Sequence, residues 1–460
     1  MNNENTQTTA DRPMQSITVD NLLINFTTEF QRVWTCNSST AKPCAFWRPT
    51  PAPDLLPGYF PLGDVAISGD GNINGGRIVA VVCEGPAASA DAQRGKALSP
   101  PEDFEQVWSD TGSNPAGGTL WLPLAQEGYV ALGLVCSIND EKPSLNAVRC
   151  VREDLVTAAS VGALIWDDQG SRANQGFSVW SVDPPLAEAG EINFAPGTFV
   201  SSNNHDRPVT DVEVYSLRMQ IPVEINPGPE LPILSGFAAP EAHEPTQPTQ
   251  VAKLPWFAVE DHGQPPAQRL RESPYYYLQR TDRYVLIGSS HNQGDKNSLV
   301  TWTLRRVKSR RDMRLFTRIS AVQIPNAWPL PGSDVERPIK FSAKLSEEFT
   351  HTQTSISGWT TPDIGAVAAN VAKNTMMALY QLQSNYDLWR ENRTETAINF
   401  MYSDSKSLCW LQYPPEDATE GLATPTPVAE LPQLPELPEV PEVPEVPELS
   451  EVPDITNTAP

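Results

Sequence analysis

Val107-Trp108-Ser109-Asp110-Thr111-Gly112-Ser113, then Leu120-Trp121-Leu122-Pro123, then Gly128-Tyr129-Val130-Ala131-Leu132-Gly133-Leu134-Val135 is the middle one of three related stretches. Before it come Val33-Trp34, Phe46-Trp47-Arg48-Pro49 and Gly58-Tyr59-Phe60-Pro61-Leu62-Gly63-Asp64-Val65. After it come Ile165-Trp166-Asp167-Asp168-Gln169-Gly170-Ser171, Val179-Trp180 and Gly197-Thr198-Phe199-Val200. The spacing between paired tryptophans is 13, 13 and 14 residues. Each unit reads the same way: a strand ending on an apolar–Trp pair, a turn rich in small polar residues, a second Trp-bearing strand, and a third strand. Three strands bury no apolar face alone, so three such units are expected to pack their aromatics about a common axis. The predicted fold is all-β: a pseudo-threefold, β-prism-like N-terminal domain, with a β-trefoil or an open sandwich as the alternative.

Outward from these units the chain changes composition. Residues 1–20 are polar and read as a disordered N-terminus, and 21–225 hold the repeat domain. Residues 226–255 are dense in proline and read as a linker, 256–413 form a second β-rich domain, and 414–460 are a disordered, acidic Pro/Glu-rich tail. From Pro435 to Leu449 the tail repeats Pro-Glu-Leu and Pro-Glu-Val, a proline every third residue, which suits polyproline II. The tail carries 11 acidic side chains and no Lys or Arg, leaving −12 of the net −23 to residues 1–413. An acidic body and tail exclude a general nucleic-acid partner, which needs a basic face. The tail itself is a spacer or a docking peptide for a protein partner.

The start of the chain shows no basic n-region with an apolar stretch behind it, so the sequence predicts no signal peptide and a cytoplasmic protein, or one released by a non-classical route. Cys36/Cys44 and Cys136/Cys150 are either buried thiols or pairs that close in an oxidising place. No Cys-x-x-Cys pair, no His-Glu-x-x-His and no Gly-x-Ser-x-Gly elbow occur, so the expectation is no metal, no cofactor and no enzyme.

Phe104-Glu105-Gln106-Val107-Trp108, Leu120-Trp121-Leu122-Pro123, Glu127 to Val135 and Val148-Arg149-Cys150-Val151-Arg152-Glu153-Asp154-Leu155 resemble the vacuolar protein sorting-associated protein 62 family over about residues 25–215. Phe30-Gln31-Arg32-Val33-Trp34, Gly58 to Gly63 and Gly197 to Val200 fit the same resemblance. It implies a trafficking role or, through relatives linked to insecticidal activity, binding to a target-cell surface.

Candidate ligand-binding residues are Asp110, Ser113, Asp168 and Ser171, at equivalent Asp-x-Gly-Ser turns: a carboxylate beside an indole can hold a sugar, and such turns also simply cap their own backbone. Trp34, Trp47, Tyr59, Trp108, Trp121, Tyr129, Trp166 and Trp180 read as structural core. Asp261-His262 reads as solvated. In the second region Ser298 to Arg306 and Ile339 to Thr361 alternate as strands, and the latter's Ser/Thr-rich face resembles aerolysin-like β-pore-forming toxins. Ile364, Val367, Ala368 and Val371 sit at helical spacing and suit a helix start within 363–382, while Met377, Leu379 and Gln381 against Ala378, Tyr380 and Leu382 alternate as a strand does. Arg305, Arg306, Lys308, Arg310, Arg311, Arg314 and Arg318 are a basic cluster suited to anionic lipid or the acidic tail. The sequence therefore favours a non-enzymatic surface binder of glycan or lipid headgroup, able to form a homo-oligomer and act on membranes. The alternative is an intracellular trafficking or scaffold protein.

Overall fold

The computed structural model describes residues 14–36, 42–86, 94–110, 117–169, 176–208, 213–238, 245–259, 261, 263–305, 321–323, 339–346, 349 and 364–415. Its described elements are almost all antiparallel strands, as the composition predicts, and the helix Pro266–Glu272 is short. No helix among the described residues is long and apolar enough to cross a membrane.

Three three-stranded sheets follow the three sequence units. They are Phe30–Cys36, Cys44–Pro49 and Val65–Ser68; Asp103–Ser109, Gly118–Leu124 and Val135–Ile138; Ser160–Asp167, Ser178–Asp183 and Phe199–Ser202. In each the second strand is central. Their registers match: Trp34 faces Phe46, Trp108 faces Leu120 and Trp166 faces Val179, each with an irregularity just before the Trp that leaves Val33, Val107 or Ile165 unpaired. An extra residue twists and bends its strand, and here it separates the two tryptophans of each unit. Trp34, Trp108 and Trp166 enter one common core with Phe46, Phe177 and Phe199, with indole centroids 5.8 Å (Trp34–Trp108) and 6.3 Å (Trp108–Trp166) apart. Trp47, Trp121 and Trp180 each sit in a separate small cluster. Tyr59 and Tyr129 differ from expectation. Both are half-buried, because their hydroxyls reach out to polar partners, Ser16 Oγ and the Lys96 carbonyl. All six cysteines are free, and Cys36 and Cys44 face each other across the first hairpin.

The long-stranded body is built on Tyr275–Asn292, Thr375–Arg390 and Glu395–Tyr413, with 18, 16 and 19 residues. Gln250–Pro255 pairs with the first of these, so the proline-rich segment is not linker to its end; its Ala252 and Leu254 are apolar, alternate and are buried. Likewise Ile17–Val19, inside the polar N-terminal stretch, forms a strand because Ile17 fits the main core. The helix expected at 363–382 is absent. Ile364–Val371 and Thr375–Arg390 are strands turning at Asn374 (φ 53°), the first pairing with Ser298–Arg305 and the second with both long neighbours. Tertiary pairing overrides the local spacing there.

The N-terminal and C-terminal regions share one core. Phe341–Lys344 pairs with Glu191–Phe194, and Phe257 packs against Phe26, Phe194 and Phe341 with ring centroids 4.9–5.6 Å apart.

Candidate functional site

Asp110 and Asp168 follow the first tryptophan strand of their units, and both are buried, at 4% and 3% exposure. Asp168 Oδ1 accepts the Phe177 amide at 2.8 Å, while the Asp168 amide donates to the Phe177 carbonyl at 3.0 Å, so the carboxylate closes the mouth of its own hairpin. The Asp110 amide donates to the Gly118 carbonyl at 2.9 Å. Ser113 and Ser171, expected beside them, lie outside the described residues. Sequence reasoning missed His205, whose Nε2 lies 2.6 Å from Asp168 Oδ1. Their separation of 37 positions carries no spacing signal, and only the return of the third strand joins them.

A second feature lies between the second and third sheets. A half-open cavity of about 850 Å3 is lined by Leu122, Leu124, Val130 and Leu132 on one side and by Phe199 to Asn204, Val214 and Tyr215 on the other. Leu122 and Leu124 are each 38% exposed, on the face of their strand opposite buried Trp121. The matching positions in the other units are polar and engaged. Arg48 makes a two-pronged bond to buried Asp64 at 2.9 Å for each prong, and Asp183 meets Lys340. A comparison of the second strands position by position would have singled out the two leucines.

Asp261, expected to be solvated, is buried at 3% exposure. Its oxygens accept Arg390 Nε at 2.7 Å, Arg390 Nη2 at 3.0 Å, the Tyr276 hydroxyl at 2.8 Å and the Gly263 amide at 2.9 Å. Burial works against the carboxylate, and these bonds outweigh it, holding Asp261 below the usual carboxyl range. Its neighbour His262 lies outside the described residues. So do Arg306, Lys308, Arg310, Arg311, Arg314 and Arg318 of the basic cluster; Arg305 ends its strand opposite Ile364. On the long-stranded sheet Arg280 pairs with Asp282 at 2.9 Å, both buried, and Ser384 Oγ donates to the same carboxylate at 2.5 Å. Of the stretch 339–361, expected to alternate as one strand, only Phe341–Lys344 is strand among the described residues. Phe349 lies in helical backbone, where Tyr386 Oη at 2.7 Å and Arg280 Nη1 at 3.5 Å both donate to its carbonyl, and residues 347–348 and 350–361 lie outside the described residues.

No curated protein matches the chain. Among solved structures it is similar to the crystal structure of GNIP1Aa from Chromobacterium piscinae, at 21% identity and TM-score 0.34, covering 42% of this chain and 34% of that one, so it spans about a third of that protein's length. It is also similar to the crystal structure of Cry35Ab1, at 9% identity and TM-score 0.34, covering 86% of this chain and 91% of that one. The family model described as vacuolar protein sorting-associated protein 62 matches residues 6–230, the span of the three tryptophan sheets, so this N-terminal region of the chain is similar to that family.

Proposed function

We propose that the chain is a non-enzymatic β protein that binds a target surface through its N-terminal region and acts on membranes through its long-stranded body. The observation that carries the reading is the run of three adjacent antiparallel strands of 18, 16 and 19 residues. About 9–11 tilted residues suffice to cross a hydrocarbon core, so each strand exceeds that span. Within the Ser/Thr-rich alternating stretch 339–361, Phe341–Lys344 is a strand paired with Glu191–Phe194, which supports the same reading. The matching registers of the three small sheets support a pseudo-threefold, prism-like module. Its surface ligand, a glycan or lipid headgroup, is assigned to the sequence candidates Asp110, Ser113, Asp168 and Ser171. Membrane action through these strands requires a homo-oligomer, since three long strands alone close no barrel. The test is dye release from phosphatidylcholine–phosphatidylglycerol vesicles between pH 4 and 9, alongside a glycan array. Release with a detergent-resistant oligomer is the expected outcome; intact vesicles across the whole range would remove the membrane reading.

The family match over residues 6–230 supports a second reading. In it the chain is a trafficking or scaffold protein whose Pro/Glu tail tethers a partner. Pull-down with and without residues 414–460 separates the two: partners lost on truncation, with no dye release, favour the scaffold.

A further inference from the structure

The registers Phe46↔Ala66, Leu120↔Cys136 and Val179↔Ser201 put Ala66, Cys136 and Ser201 at one equivalent place, on the edge strand of each small sheet. At this place the backbone N–H and C=O point away from the sheet, toward the neighbouring unit. Cys136 shows it: Asp64 Oδ2 accepts its N–H at 2.7 Å and Arg48 Nη2 donates to its C=O at 2.7 Å. Ala66 repeats it, with Arg77 Nη1 donating to its C=O at 3.3 Å. Two of the three junctions are thus closed by a guanidinium of the chain itself. At the third, among the described residues, no side chain donates to the Ser201 carbonyl. Leu122 stands where Arg48 stands in the first unit, and Ser201 lines the cavity of about 850 Å3.

We propose that this third junction binds an arginine side chain presented by a partner polypeptide on an extended, apolar-flanked segment. The guanidinium donates to the Ser201 carbonyl as Arg48 does to Cys136, while Leu122 and Leu124 cover the apolar flanks. Ser201 is half-buried at the cavity wall, and an arriving guanidinium supplies its carbonyl with the kind of hydrogen bond the other two junctions already hold. Exposed Glu213 lines the same cavity and adds a carboxylate near the arriving charge. Arg207 also lines it, but its guanidinium donates to the Val161 carbonyl. The volume lies in the range of ligand sites, roughly 300–1,000 Å3, and admits the arginine with its neighbours. The site is independent of the membrane reading, which vesicle leakage tests separately.

The experiment is calorimetric titration of the full chain with a capped leucine–arginine–leucine peptide. The same peptide with citrulline, a neutral isostere, is the comparison. The arginine peptide is expected to bind at least tenfold more tightly than the citrulline one. Leu122→Arg, which supplies the missing guanidinium from within, is expected to lower that affinity at least tenfold. Leu145→Arg, an equal charge at an exposed position away from the cavity, is expected to keep it. Should Leu122→Arg fail to fold, amide shifts of Ser201 to Asn204 in the unaltered chain, moved by the arginine peptide and not by the citrulline one, carry the same information. No binding of the arginine peptide, equal binding of both peptides, full binding by Leu122→Arg, or binding only to phosphatidylethanolamine vesicles would each overturn the proposal.

Discussion

Gly118 sits where an added Cβ would lie 2.2 Å from Trp34 Cδ2, so the indole of the first unit packs flat on the backbone of the second. Trp34 is buried in the shared core and has no room to retreat. Gly118→Ala is therefore expected to destabilise the fold by about 1–3 kcal/mol, the usual cost of overpacking, read from urea unfolding followed by tryptophan fluorescence. Trp108 contacts the cores of both neighbours: it lies 5.8 Å from Trp34, 6.3 Å from Trp166 and stacks at 4.8 Å on Phe177. Its replacement by Ala should cost ~3–5 kcal/mol, and a variant unfolding with the unaltered chain would contradict its central place. Asp168→Ala leaves the Phe177 amide without its acceptor, and a loss of about 1–3 kcal/mol is expected. The tryptophans were legible from spacing alone. That the first of each pair goes to the common core and the second to a satellite was not, because the separation depends on the irregular pairing at Val33, Val107 and Ile165.

Among the elements, the long sheet depends on its end anchor. Asp261 ties the turn before Pro266–Glu272 to the Tyr275–Asn292 and Thr375–Arg390 strands through Tyr276 and Arg390. Its carboxyl is held low in the fold and returns to about 4 on unfolding. The anchor's stabilisation is thus complete above about pH 4 and fades as pH falls through the folded value. Asp261→Asn should flatten the acid limb of a melting-temperature profile below that pH while lowering stability at pH 7. An unchanged acid limb would show that Asp261 does not carry it. Strand alternation in 298–305 was readable, yet the solvated reading of Asp261 failed, since its four donors come from three separate places in the chain. The helical spacing at 364–371 misled for a related reason. A period of a few apolar residues is weak beside continuous pairing, and Trp302 opposite Val367 in the neighbouring strand decides the matter.

At the scale of the whole molecule, the N-terminal region does not own its core. Phe26, Ile192, Phe194 and Leu217 pack with Phe257, Tyr276, Phe341 and Leu388. A fragment ending at residue 238 would expose that face and the free edge of Glu191–Phe194. It is expected to lose cooperative thermal unfolding and to aggregate; a monomeric fragment melting sharply would show that residues 14–238 suffice. From the order of its residues alone, the chain determined its all-β class, its three tryptophan units and its acidic tail, since these follow from local periodicity, turn residues and charge. Only the tertiary structure decided which side chains meet. The Asp168–His205 contact, the sheet joining Glu191–Phe194 to Phe341–Lys344 and the cavity between the second and third small sheets all depend on residues far apart in sequence. Such meetings are fixed by register and by the filling of a shared core, which no short stretch of sequence encodes.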